Sequence, residues 1–265
     1  MPIDPTAKIH PSAVIDDGAR IGADVRIGPF CVVGDEVVLG DRVELRSHCV
    51  VTGRTEIGEE TVVFPFASIG EIPQDLKFAG EKTRLVIGQR NRIREHVTMN
   101  TGTTGGGGLT VVGDDCLFMA GAHVAHDAQV GDRVIMVNNS ALAGHCVVGD
   151  DVIIGGLSGV HQWVRIGKGA IIGAVTMVTS DVMPHALVQG PRGAIDGLNL
   201  VGLKRKGVAR ADITALRAAF QMLRQGEGAF QDRARRLKDE TESDYVREIA
   251  DFILGDSDRG FLTPS

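Results

Sequence analysis

Aliphatic side chains recur at every sixth position over most of this chain. Counting from Ile9, the frame meets Ile15, Ile21, Ile27, Val33, Leu39, Leu45, Val51, Ile57, Val63 and Ile69 without a gap. It resumes at Ile87, Ile93 and Met99, and again from Val112 through Phe118, Val124, Val130, Met136, Leu142, Val148, Ile154, Val160, Ile166, Ile172 and Val178. The next position is often Gly (Gly22, Gly28, Gly34, Gly113, Gly131), and the position two before is small or β-branched (Ala13, Val25, Thr61, Ala122, Ser140). Helices need spacings of three and four, whereas a period of six fits a short strand plus a tight corner. Three units then close one triangular coil of roughly 18 residues, and coils stack as parallel strands about 4.8 Å apart. The expected fold class is an all-β solenoid in which each coil buries its aliphatic face against its neighbours.

Two stretches interrupt the pattern. Residues 71–84, EIPQDLKFAGEKTR, are polar and read as a loop thrown out from the coils, where solenoids often place their binding face. Residues 101–110, TGTTGGGGLT, shift the frame by one; with no Gly-Lys-Ser/Thr following, a phosphate loop is not expected, and the glycines predict a flexible surface loop. Past Val178 the repeat fades, and VQGPRGAIDG reads as a linker. Helical spacing then appears at Ile213, Leu216, Ala219, Phe220 and Leu223, with Asp212 as the expected N-cap, and again at Tyr245, Ile249, Phe252 and Ile253. The domain division expected is 1–190 for the solenoid, with inserted loops near 71–84 and 101–110, and 191–265 for a linker and a small C-terminal α-helical domain.

Composition narrows the function classes. The 265 residues hold 35 Gly and only 4% aromatics, as suits a thin core of branched aliphatics. A net charge of −6 gives no basic field for phosphates, so no nucleic acid partner is expected. No apolar run reaches the roughly 18 residues of a transmembrane segment, and the start MPIDPTAKIHPS lacks a signal pattern, which predicts a cytoplasmic protein. Cys31, Cys49, Cys116 and Cys146 all occupy the small position of their units and are expected as core fillers. Lys204, Arg205, Lys206 and Arg210 form a local basic cluster suited to an acidic partner.

Eighteen-residue stacking turns sequence separation into proximity. His145 lies one coil above Asp127, and His161 two coils above position 125, so His123, His126, His145 and His161 converge along one edge. Imidazole beside carboxylate suits a general base. The same cluster suits zinc.

The segments FASIGEIPQDLKFAGE, IREHVTMNTGT, HVAHDAQVGD, NNSALAGH, GLSGVHQW and GLNLVGLKRKG resemble the UDP-N-acetylglucosamine O-acyltransferase family of hexapeptide-repeat enzymes. The resemblance spans the chain from the first repeat to the helical tail. It implies a left-handed parallel β-helix, a hand that periodicity cannot supply because ordinary parallel crossovers are right-handed. It also implies transfer of a 3-hydroxyacyl group to the sugar 3-hydroxyl of UDP-N-acetylglucosamine, the opening step of lipid A biosynthesis, between subunits of a homotrimer. The acyl group would arrive on the phosphopantetheine of acyl carrier protein, with no other cofactor and no metal. By resemblance His126 is the general base, Asp127 its orienting partner and the Gly144 N–H the oxyanion donor. Lys77, His123, His145, His161 and Gln162 would hold sugar and diphosphate, Gln74 and Asp75 the acyl 3-hydroxyl, and Asn199 and Arg205 the acyl or nucleotide side. Ala174 and Arg192 would bound the acyl groove and set chain length. Val201 departs from the family, many of whose members carry Glu there. The related N-acyltransferases carry an extra N-terminal domain, whereas the repeats here begin at Ile9. The alternative from another class is a γ-type carbonic anhydrase with zinc at an inter-subunit histidine site.

Overall fold

Strands of mostly two residues alternate with tight corners, and the chain winds as a left-handed parallel β-helix followed by helices. A computed structural model describes residues 3–264. Three sheets of eleven, nine and eight strands form the sides of the prism, all parallel but for the last strand of the first. We call them face 1 (from Lys8–Ile9), face 2 (from Val14–Ile15) and face 3 (from Arg20–Ile21). Neighbouring strands are offset by one coil, as in Val32↔Val50 and Gln129↔Val147.

The aliphatic frame points inward. Leu39, Leu45, Ile69, Met99, Phe118, Met136, Leu142 and Ile154 are fully buried, and all four cysteines are free and buried among them. At most corners one residue takes a left-handed backbone, among them Phe30, His48, Phe66 and His96 with φ of 58–64°. Such a conformation costs a non-glycine residue roughly 1–2 kcal/mol, so stacking must hold it. The four rings form a ladder with centroids 4.9, 4.9 and 5.2 Å apart.

Both interruptions leave the corner between faces 2 and 3. The register step rises to 30 residues at Ser68↔Thr98 and to 25 at Thr98↔His123, against 18 in the regular coils, such as His123↔Ala141, and 16 at the last, Ile171↔Leu187. The next residues to occupy that corner are Ala125, His126 and Asp127.

The segment read as a linker is a β-hairpin instead. Ala186–Gln189 continues face 1 and pairs antiparallel with Ala194–Leu198. Four helices follow: α1 (Leu200–Arg205), α2 (Arg210–Gln225), α3 (Phe230–Glu240) and α4 (Asp244–Leu254). Ala209, not Asp212, caps α2; Asp212 lies in its first turn and accepts the Ser243 hydroxyl at 2.8 Å. Among the described residues no helix is long and apolar enough to cross a membrane.

Candidate functional site

The corner between faces 2 and 3 carries two vertical columns of side chains. His126, Gly144 and Gln162 occupy its first turn position in successive coils, and Asp127, His145 and Trp163 its second. The second-position residues are left-handed, with φ of 59°, 61° and 67°. Backbone bonds from His145 N–H to His126 O (3.1 Å) and from Trp163 N–H to Gly144 O (3.2 Å) lock them in place. The His145 ring lies flat on Trp163, 3.8 Å away and 5° from parallel, and meets His126 edge-on at 5.0 Å.

His126 and Asp127 form a buried dyad. The His126 Nδ1 stands 2.8 Å from Asp127 Oδ2, with the two side chains 6% and 1% exposed. A carboxylate only accepts, so Nδ1 carries the proton and Nε2 keeps a lone pair for the cleft. The carboxylate also accepts the Thr103 N–H on Oδ1 at 2.8 Å and the Thr103 hydroxyl on Oδ2 at 2.6 Å. The Asp127 N–H donates to Thr110 Oγ1 at 2.8 Å. The glycine-rich stretch does lie at the surface at its tip, where Thr104, Gly105 and Gly107 are exposed, but it is anchored at both ends. Thr101 and Thr103 are buried, and the stretch is wedged between the first inserted loop and the dyad. Its glycines serve close approach as much as flexibility.

Gly144 has to be glycine because a Cβ there would fall 2.4 Å from His126 Cε1. Its N–H donates to no backbone carbonyl among the described residues. At the corner between faces 3 and 1 the equivalent N–H of Ala23, Gln89, Asp114 and Asp132 is taken by an Asp in the next coil. Above Gly144 that place belongs to Gln162, so the donor stays available to an anion.

A cleft of about 420 Å³ opens over these groups. Gln74, His123, His126, Gly144, His161 and Gln162 line it together, and Leu142, Val160 and Met177 give it an apolar floor. Burial lowers the pKa of His123, the charge of His126 adds to that, and a bond with Thr98 opposes it. Burial also lowers that of His145, against the pull of Asp127. His123 Nδ1 bonds Thr98 Oγ1 at 2.7 Å, and His145 sits behind the cleft wall rather than in its lining.

Other expected residues lie elsewhere. Asp75 accepts the Lys77 N–H at 3.0 Å in a turn of the first loop, where Lys77 is exposed. Asn199 and Arg205 line a separate groove of about 220 Å³ at the corner between faces 3 and 1, with Arg133, His185 and Lys206. The Asn199 amide is spent within the chain: its Oδ1 caps α1 through the Gly202 N–H (2.9 Å) and its Nδ2 donates to Gly169 O (3.0 Å). Arg192 bridges Met177 at the far end of the cleft, and Ala174 is exposed at the corner between faces 1 and 2. Sequence reasoning missed Thr103, Thr110, Trp163 and Met177. The signal for Thr103 and Thr110 is the coil length, since both long coils bulge at the corner that His126 occupies next; Trp163 and Met177 follow from counting 18 residues on from His145 and Gly159.

The chain matches two family models, one described as bacterial transferase hexapeptide (six repeats) at residues 18–53 and 109–144, the other as UDP-N-acetylglucosamine O-acyltransferase, domain 2, at 181–262. It is similar to the acyl-(acyl-carrier-protein)–UDP-N-acetylglucosamine O-acyltransferase of Paracoccus denitrificans, 66% identical over 77% of each chain. The protein of that name from Rhizobium etli is 48% identical over 98% of this chain and 96% of its own. Among solved structures, the UDP-N-acetylglucosamine acyltransferase from Campylobacter jejuni superposes with a TM-score of 0.92 at 37% identity, covering 97% of this chain and 100% of that one. The Francisella novicida enzyme gives 0.87 at 34% identity, covering 98% and 93%.

Proposed function

Because the chain belongs to the acyl-(acyl-carrier-protein)–UDP-N-acetylglucosamine O-acyltransferase family, we propose that it moves a 3-hydroxyacyl group from acyl carrier protein to the 3-hydroxyl of UDP-N-acetylglucosamine, the first step of lipid A biosynthesis. The chemistry is acyl transfer between two bound substrates. His126 Nε2 removes the proton of the sugar hydroxyl as the oxygen attacks the thioester carbonyl, and Asp127 stabilises the imidazolium that forms. The Gly144 N–H receives the developing oxyanion. Collapse breaks the carbon–sulfur bond, and the phosphopantetheine thiolate takes the proton back from His126. The acyl chain lies along Leu142, Val160 and Met177, toward the end bounded by Arg192 and Ala174. His123, His161, Gln162 and Lys77 bind sugar and diphosphate, and Gln74 and Asp75 meet the acyl 3-hydroxyl.

A second copy completes the site. Asn199 and Arg205 stand at a different corner from His126, so in a homotrimer they serve the cleft of a neighbour. Transfer of this kind needs no metal, and its donor and acceptor belong in the cytoplasm. The carbonic anhydrase alternative is not supported, since the relatives are acyltransferases.

The observation that carries this reading is the buried His126–Asp127 pair at 2.8 Å, beside an open Gly144 N–H and over an apolar floor. The test is purified protein with UDP-N-acetylglucosamine and a ladder of 3-hydroxyacyl carrier proteins, followed by mass spectrometry. His126→Ala should lower turnover by about 10²–10⁴ while nucleotide binding changes little. Near-normal turnover in that variant removes His126 from the mechanism.

A further inference from the structure

Asp127 is held from below by the glycine-rich stretch, and the fit is close. A Cβ added at Gly106 would fall 2.1 Å from the Asp127 carboxylate carbon and 2.4 Å from both its oxygens, and one at Gly102 would lie 2.8 Å from Oδ1. The backbone of this stretch therefore packs onto the carboxylate and excludes water from that side. Gly107 and Gly108 serve the other purpose of glycine, taking φ of 91° and 75° to turn the chain back. The turn closes on Thr103, whose carbonyl accepts the N–H groups of Gly106 at 3.0 Å and Gly108 at 2.8 Å. Thr103 is thus fixed while both its N–H and its hydroxyl point at Asp127. With His126 these make three donors on one dry carboxylate.

We infer that Thr103 is a positioning residue for the reaction: through Asp127 it fixes the plane and the charge of the dyad and so tunes His126 as a base. The inference rests on the acyltransfer reading above. Oδ2 is the atom at stake, because it alone is shared between the Thr103 hydroxyl and His126 Nδ1. Without the hydroxyl, Oδ1 stays anchored by the Thr103 N–H while Oδ2 is free to swing out of the imidazole plane, which slows proton transfer. The charge on Oδ2 is also less spread, which makes Asp127 a stronger partner for imidazolium and raises the basicity of His126. Other groups that face His126 are His145, edge-on and with its Nδ1 3.7 Å from the same Asp127 Oδ2, and His123 in the same cleft lining, with Asp75 acting on His145 from the first loop. None of them touches Thr103 in the structure, so replacing its hydroxyl acts through Asp127 alone.

The experiment compares kcat, KM and the pH–rate profile of the full-length enzyme and four variants. Thr103→Val keeps the shape and loses the hydroxyl; it should lower kcat by about 10–100-fold, the worth of one hydrogen bond to a charged group. The KM for UDP-N-acetylglucosamine should stay within about twofold, and the acidic limb of the profile should move to higher pH. Thr103→Ser restores the hydroxyl and should recover most of the rate and the parental limb. Gly106→Ala drives a methyl into the carboxylate and should lower kcat with thermal melting little changed. The inference is overturned if His126→Ala is inactive yet Thr103→Val keeps kcat within about threefold, or loses it with an acidic limb that stays put or moves down. If His126→Ala itself turns over normally, the general-base reading fails instead.

Discussion

Burial keeps the imidazoles of His123 and His145 less basic than in water, and both feel any charge placed on His126. It also ties stability to pH. The folded pKa of His123 lies below its ordinary value of 6.5, so on acidification the unfolded chain binds its proton first, and protons pull the equilibrium toward unfolding. The melting temperature should therefore fall as pH drops from about 7 toward 5, and His123→Asn should flatten that slope. Equal slopes in the two proteins would show that His123 is not buried neutral. The left-handed backbone of Asp127 and His145 fits the same picture, since a strained corner persists only where packing over-determines it.

At the scale of elements, an ion pair at the end of the coils supports the helical tail, whose Phe252 carbonyl and ring sit on its guanidinium. Arg165 donates through Nε to Asp181 Oδ2 at 2.7 Å and through its backbone N–H to Oδ1 at 2.8 Å. Its guanidinium lies 4.5 Å over the Phe252 ring of α4, and Asp181 is fully buried. Asp181→Ala should cost about 3 kcal/mol, because Arg165 is left unpaired beneath the tail; a urea titration measures it, and a loss below about 1 kcal/mol would mean that the pair is dispensable. The period of six made the faces, the core and the stacking of His145 above Asp127 legible in sequence. The packing of the loops was not. Residues 71–84 read as a loop, but nothing in their sequence told where the 30-residue coil they create would lay that loop down. Four glycines in a row read as freedom, because no local signal separates a glycine chosen for φ from one chosen for space, as Gly106 is. Asp212 looked like a cap, but tertiary contact with Ser243 claimed it and left Ala209 at the helix start.

For the whole molecule, charge is distributed by element rather than by sequence block. Of the basic cluster beside α1, Lys206 already meets Asp151 at 2.6 Å, which leaves Lys204, Arg205 and Arg210 exposed and without an ion-pair partner among the described residues. Position along the axis and position around it are also read separately by this chain. Around the axis the address repeats every coil, and only differences between addresses matter to the site. Gln74, Thr103 and His126 share one address because each coil between them, whatever its length, closes a full revolution. Duplicating residues 34–51, upstream of all three, should add a storey to the column and leave transfer intact. Duplicating residues 113–118, between Thr103 and His126, should turn the base a third of a revolution away from the loop that holds its partner, giving a protein with unchanged β content by circular dichroism and no turnover. A duplication of 113–118 that still transferred acyl groups would mean that the site does not depend on this angular alignment.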